Sequence, residues 1–272
     1  MKLHILGNSA AGPWNGSACT GYIVSTESSR ILIDCGPGVA TAVSRTLDPI
    51  DLDAVIITHL HHDHCYDLLS LAMSLRVRHG ISSRKFFDSA SINGPDLPFP
   101  IPVYMGSGGK ELFEGLESHF PVMTPAPFNR LTGGVLDFQE HSVTKPINVG
   151  DILVQPFAVQ HSIPAVGLEI SDRTTRLVFT GDTCLFDGLV SACSGADAIL
   201  AEATLTKESN DSHNHMSAAD AGSLARRSGV DVLILTHFLG GVDDSRSREL
   251  EDAREEFSGN ILITSTDESF DL

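Results

Sequence analysis

The chain has 272 residues, 42% of them hydrophobic, with a mean hydropathy of +0.06, enough for one large α/β domain with a continuous core and with no apolar run of membrane-spanning length. A formal net charge of −17 and a pI of 4.9 give an average surface field that repels polyanions, so a long nucleic acid is a poor partner. Five cysteines, Cys19, Cys35, Cys65, Cys184 and Cys193, are scattered without a CxxC pair, which speaks against a disulfide framework and for a reducing, cytoplasmic setting. The chain opens directly on strand-like Leu3-His4-Ile5-Leu6, with no charged segment leading into an apolar one.

In chain order, Lys2–Leu6, Thr20–Ser25 and Arg30–Asp34 read as strands, the last two joined by the polar turn Thr26-Glu27-Ser28-Ser29, which makes a meander. Gly36-Pro37-Gly38 interrupts the pattern, and Val39–Leu47 has helical spacing. Ala54–Thr58 returns to strand; its run Val55-Ile56-Ile57 has the character of a parallel strand covered on both faces. It ends on His59-Leu60-His61-His62-Asp63-His64, five titratable side chains within six residues, where open α/β sheets place their ligands. Neutral imidazoles and a carboxylate suit Zn2+ and related borderline ions, whereas clustered histidines without a cation repel one another once protonated. A helix from His64 to about Val77 is expected next, with Leu68, Leu69, Leu71, Ala72 and Leu75 on a broad apolar face and its N-terminus toward the metal loop.

Between Gly80 and Pro102 the composition shifts to Ser, Pro, Asn and Gly, which suits either a lid over the site or a variable connection. Ile101–Met105 and Lys110–Phe120 read as strand and helix, and Pro121–Gly134 as a Pro/Gly-rich crossing. Strands then recur at Val135–Phe138, Ile152–Val159, Val166–Ser171, Leu177–Phe179, Ala198–Ala201, Val232–Leu235 and Ile261–Thr264, with helical spacing at Ala218–Ser228 and Arg246–Phe257. No clear sequence repeat marks the two β-rich halves. Three of the later strands deliver further candidate donors, His161, Asp182 and His237, each of which taken singly is more often an ordinary strand-end residue.

The pattern His-x-His-x-Asp-His at His59–His64, followed by His161, Asp182 and His237 each behind a strand, resembles the metallo-β-lactamase superfamily, and the resemblance runs from Met1 to Leu272. It implies an α/β (α+β) fold, a four-layered αββα sandwich, in a single domain. Three further elements, His161-Ser162-Ile163-Pro164-Ala165-Val166-Gly167, Ala201-Glu202-Ala203-Thr204 and His215-Met216-Ser217-Ala218, are similar to the ribonuclease Z-like branch. Carried over residue by residue, the resemblance implies that His59, His61 and His161 hold one ion and that Asp63, His64 and His237 hold a second, with Asp182 between them. The implied cofactor is two Zn2+ per chain, with Mn2+ or Fe2+ fitting the same donors. Asp63 is implied as the base that orients a water shared by the ions, and Glu202 with His215 as a hydrogen-bonded pair serving as acid or oxyanion donor in phosphodiester hydrolysis. His62 receives no role. Members of this branch are often dimeric, so a homodimer is expected.

Two departures bear on the substrate. The second half holds no long Gly/Lys/Arg insertion of the kind with which ribonuclease Z clamps transfer RNA. After His237 the chain reads Phe238-Leu239-Gly240-Gly241-Val242-Asp243-Asp244-Ser245-Arg246 where the branch continues with Ser and an Arg-Tyr pair. Arg76, Arg78, His79, Arg84 and Lys85 form the only cationic run near the metal loop, either a local anchor or a solvated helix end. Trp14 suits stacking on a base or packing under a lid, and Cys184 a small core position. The expected substrate is a small phosphodiester or an RNA end. Two other classes fit the same residues: a metal-dependent thioester, lactone or amide hydrolase, and a metal-binding protein whose catalysis has lapsed.

Overall fold

Apolar side chains alternate along the strands, and the two alternate sets meet different layers. The computed structural model describes residues 1–83, 100–120, 122, 129–209, 214–240 and 246–272. Its first half holds β1 (Lys2–Ala10), β2 (Ala18–Cys19), β3 (Gly21–Ser25), β4 (Arg30–Ile33), β5 (Ala54–Ile56), β6 (Ile101–Met105) and β7 (Leu136–Glu140), with helices α1 (Val39–Thr46), α2 (His62–Cys65), α3 (Leu68–Ser83) and α4 (Gly109–Glu117). The second half holds β8 (Ile147–Val149), β9 (Ile152–Ala158), β10 (Val166–Ser171), β11 (Arg176–Phe179), β12 (Ala198–Glu202), β13 (Val232–Thr236), β14 (Phe238–Leu239), β15 (Asn260–Ile263) and β16 (Ser269–Asp271), with α5 (Asp187–Cys193), α6 (Ala218–Ser228) and α7 (Ser247–Glu256).

In β3 and β4, Tyr22, Val24, Ile31 and Ile33 point between two sheets, where they meet Phe179, Leu200 and Ile234. Ile23 and Leu32 face the other way, onto Val39, Val43, Leu68, Leu71 and Phe113 of α1, α3 and α4. On the second sheet Ile199, Leu233 and Leu235 pack outward on Leu189, Ala221, Leu224 and Ala253 of α5, α6 and α7. Strands apolar on both faces therefore need a layer on each side, and the result is the αββα sandwich.

The first sheet has the order β14-β1-β3-β4-β5-β6-β7, with β2 and β16 on β1; the second has the order β15-β13-β12-β11-β10-β9-β8. Each starts as an antiparallel meander, β1-β3-β4 in one and β8-β9-β10-β11 in the other, and continues with parallel neighbours. The halves thus share a strand pattern that their residues do not display. Parallel strands place their carboxyl ends along one edge, and β4, β5, β11, β12 and β13 all end there.

Several elements differ from expectation. The helix expected from His64 to Val77 is two helices, because the Asp67 carboxylate accepts N–H bonds from Gly38 and Ala40, each at 2.9 Å, and its carbonyl starts α3 through Leu71 N. It is therefore the short α2, not the long helix, that opens at the histidine loop. β1 runs on to Ala10, α5, β8 and β14 are additional, and β16 pairs with β1 in antiparallel register at Lys2↔Asp271 and His4↔Ser269. Of the cationic run, Arg76 is buried and donates to the Arg130 carbonyl, and Arg78 is paired with Asp48. Arg84, Lys85 and most of the 80–102 segment lie outside the described residues, as does part of the 121–134 crossing. No helix among the described residues is long and apolar enough to cross a membrane.

Candidate metal centre

The donors gather where both sheets end. His59, His61, Asp63 and His64 follow β5, His161 lies three residues past β9, Asp182 three past β11, and His237 directly follows β13. An isolated antiparallel bridge from His59 to Ala165, with Val166 N bonded to Thr58 O at 3.2 Å, ties the two sheets at this point. Close approach is built in at Gly36, where a Cβ would stand 1.9 Å from the Asp63 carbonyl oxygen.

His61 Nδ1 lies 3.1 Å from His59 Nε2 and 3.0 Å from His161 Nε2, so three ring nitrogens converge on one point. Asp63, His64 and His237 form a second group, with His64 Nε2 3.2 Å from His237 Nε2 and Asp63 Oδ2 3.5 Å from the latter. Asp182 Oδ2 sits between the groups, 3.7 Å from His59 Nε2, 3.3 Å from His64 Nε2 and 3.6 Å from His237 Nε2. Within each of the sets His59-His61-His161, His59-His64-Asp182 and Asp63-His64-His237 one donor atom per residue lies within 4.8 Å of the others.

This donor set fits divalent cations. Converging nitrogens cannot all be satisfied by sharing protons, and a cation answers every lone pair at once. The far nitrogens are held as well: His64 Nδ1 donates to Asp34 Oδ2 at 2.8 Å, and His161 Nδ1 to the Asn214 carbonyl at 3.0 Å. His59 Nδ1 lies 3.1 Å from the Thr58 hydroxyl, which in turn donates to Asp34 Oδ2 at 2.9 Å.

Burial opposes charge on His59, and with the neighbouring His64 it holds this imidazole well below its ordinary pKa. Burial also opposes ionisation of Asp63, but the facing His237 and the nearby His64 outweigh it and keep the carboxyl below the usual range. Asp182, likewise opposed by burial, is held ionised by His237 and His64. For His64 burial is outweighed by Asp182 and Asp34, which favour a proton that a bound cation would displace.

Beside the cluster, Glu202 is the last residue of β12 and fully buried, not a solvated strand end. Its Oε1 accepts the Thr183 N–H at 2.7 Å, its Oε2 the Thr204 hydroxyl at 2.6 Å, and both oxygens stand 3.1 Å from His215 Nδ1. His215 is partly exposed, and although burial opposes its charge, the Glu202 hydrogen bond raises it to about 9. His215 Nδ1 is also 3.8 Å from Asp182 Oδ2, so the pair borders the donors.

Two neighbours stay outside the cluster. His62 is exposed and donates Nε2–H to the Ala11 carbonyl at 2.7 Å. Cys184 is buried, with its thiol on Gln160 Oε1 at 3.3 Å. Asp34, Thr58, Thr183 and Thr204 are the residues that sequence reasoning passed over; the signal for Asp34 was an aspartate closing an apolar strand run, Ile31-Leu32-Ile33-Asp34.

Comparison with known proteins decides the family. The description of the metallo-beta-lactamase superfamily matches residues 14–90, and that of the beta-lactamase superfamily domain matches residues 101–238. The chain belongs to the metallo-beta-lactamase superfamily. Membership makes it a metallo-hydrolase and implies a divalent metal. An uncharacterized protein of Mycobacterium tuberculosis, Rv1339, is 28% identical over 276 residues, covering 100% of this chain and 92% of its own length. Ribonuclease Z of Haloarcula marismortui is 24% identical over 97% of this chain and 94% of its own. The crystal structure of the metallo-beta-lactamase fold protein YhfI from Bacillus subtilis superposes with a TM-score of 0.80 at 24% identity, over 99% of this chain and 98% of that one.

Proposed function

We propose that this superfamily member is a dinuclear, zinc-dependent phosphodiesterase of the ribonuclease Z-like branch, acting on a small phosphodiester or an RNA end. The Glu202–His215 pair beside the donor cluster carries the reading, because an imidazole held there by a carboxylate can donate to a phosphoryl oxygen or a leaving alkoxide. His59, His61 and His161 would hold one ion, Asp63, His64 and His237 the other, with Asp182 shared. When bound, two such ions supply Lewis acidity and an activated water for in-line displacement. Asp63 keeps one carboxylate oxygen on the Ala11 N–H at 2.7 Å, which fixes its orientation as a proton acceptor. Glu202 holds His215 by Nδ1, leaving Nε2 to face substrate.

Net charge −17, a buried Arg76 and a paired Arg78 support a small substrate over a polymer. A homodimer in the cytoplasm belongs to the same proposal, the latter supported by five free cysteines. The test is elemental analysis with a substrate panel. Close to two zinc ions per chain are expected, with higher kcat/KM on small phosphodiesters than on precursor transfer RNA at physiological salt. A metal-free protein with undiminished activity, or salt-sensitive trailer cleavage as the dominant activity, overturns it.

A second reading, hydrolysis of a thioester, lactone or amide, is favoured by one feature. A cavity of about 490 Å3 beside His161 is lined by Ser107, His141, Ser162, Ile163 and Pro164, with no Lys or Arg among the described lining residues. Turnover of an acyl thioester with silence on every phosphodiester in the panel would select it.

A further inference from the structure

Trp14, the only tryptophan of the chain, is 48% exposed beside the edge that carries the donors. A tryptophan half in water is the exception among indoles, which are largely buried on average. Its place is set by two short tethers. Three residues before it, Ala11 gives its N–H to the Asp63 carboxylate at 2.7 Å and its carbonyl to His62. Three residues after His237, Gly240 lies against the indole: a Cβ there would stand 2.6 Å from Trp14 Cγ and 2.8 Å from Cδ2. β1 and β14 run side by side into this contact, with Ser9 opposite Phe238 and Ala10 opposite Leu239. Three residues span at most roughly 11 Å, so the Trp14 backbone stays within about that distance of Ala11, which touches Asp63, and the indole lies against a residue three past His237.

The loop is rigid by construction. Trp14 and Ser17 exchange backbone hydrogen bonds of 3.2 and 2.8 Å around Asn15 (φ 46°) and Gly16 (φ 85°), the left-handed pair of a type I′ hairpin turn. Ser17 is pinned in turn by Asn8 Oδ1 at 2.7 Å and by the Thr266 hydroxyl at 2.9 Å. A large, half-exposed π-face is thus tethered near the donor cluster, where ordering it on binding costs little.

We propose that Trp14 is a stacking platform for the nucleobase of the substrate, so that the site takes phosphodiesters carrying a planar base. The inference rests on the phosphodiesterase reading and narrows it. Base–aromatic stacking gains affinity without base identity, since every base has a π-face, which makes the platform tolerant of which base it holds.

The test uses the metal-loaded full chain. Emission of the sole tryptophan is followed while adenosine 5′-monophosphate is added, with ribose 5-phosphate as the baseless control. Saturable quenching by the nucleotide and not by the sugar phosphate is expected; no quenching, or equal quenching by both, overturns the platform. In parallel, kcat/KM is measured for thymidine 5′-(p-nitrophenyl) phosphate and for methyl p-nitrophenyl phosphate, which share a leaving group. Trp14→Ala should lower the ratio of the first to the second by roughly 5- to 150-fold, and Trp14→Phe should preserve it within a few-fold. An unchanged ratio in Trp14→Ala also overturns the proposal. If neither ester is hydrolysed, the phosphodiesterase reading fails by itself, and the emission titration still decides the platform.

Discussion

Nδ1 of His237 lies 2.8 Å from the Thr204 hydroxyl, which lies 2.6 Å from Oε2 of Glu202. A carboxylate only accepts, so the single hydroxyl proton goes to Glu202, and the threonine oxygen accepts N–H from His237. That leaves the lone pair of His237 on Nε2, toward Asp63 and Asp182. Thr58 stands in the same way between His59 and Asp34. Each sheet therefore sets a donor tautomer through a threonine backed by a buried carboxylate.

The first expectation follows from that relay. Thr204→Val should weaken retention of one metal equivalent by about 10- to 100-fold, the scale of outer-shell substitutions, while Thr204→Ser restores most of it. Titration with a competing chelator measures the loss. Equal retention in the valine variant and wild type would show that the hydroxyl does not set the His237 tautomer.

Asp34 accepts from the Thr58 N–H at 2.8 Å, from the Thr58 hydroxyl and from His64, all in full burial. Asp34→Ala strands these donors, at a cost of about 3–5 kcal/mol if His64 is left charged. A clear fall in Tm is expected even in excess chelator, where metal contributes nothing, together with weaker metal binding in its absence. A variant that lost metal but kept the chelated Tm would confine Asp34 to orienting His64.

Asp63 and His62 are adjacent in the chain and opposite in placement. Asp63→Ala should abolish turnover, because its carboxylate lies within 3.5 Å of His237 and is fixed by Ala11. His62→Ala should stay within a few-fold of wild type, since its ring is exposed and, among the described residues, its polar partners are the Ala11 carbonyl and the edge of Asp63. Comparable losses in both, measured as kcat with metal content checked, would mean that the motif register is misassigned.

His215→Ala should lower phosphodiester hydrolysis by roughly 10²- to 10⁴-fold at unchanged metal content, as for loss of a positioned acid or oxyanion donor. Glu202→Gln should give a smaller loss in the same direction, and the double variant less than the product of the two, because the residues act as a unit. Full phosphodiesterase activity in His215→Ala would show that the Glu202–His215 pair is not the acid or oxyanion donor.

Sequence by itself determined the positions in which local periodicity and function coincide. Val55-Ile56-Ile57, Leu177-Val178-Phe179 and Leu233-Ile234-Leu235 are apolar on both faces, so they had to be covered strands, and the histidine or aspartate behind each had to emerge at a strand end. α6 is bounded by its own local chemistry, the reciprocal Ser217–Asp220 capping box at one end and left-handed Gly229 at the other.

Tertiary structure decided what depends on partners distant in the chain. The pairing of β16 with β1 spans most of the sequence, and a short strand with one apolar residue in three carries no periodicity to announce it. The break between α2 and α3 comes from Asp67 bonding to Gly38 and Ala40, a choice that helical spacing alone cannot show. Arg76 is buried, with its guanidinium on the carbonyl of Arg130, 54 residues away in the chain. Thr58 and Thr204 are ordinary strand-end residues until folding brings a carboxylate to one side of each hydroxyl and an imidazole to the other: hydrogen bonding at 2.6–3.1 Å depends on three-dimensional placement, which apolar patterning does not encode.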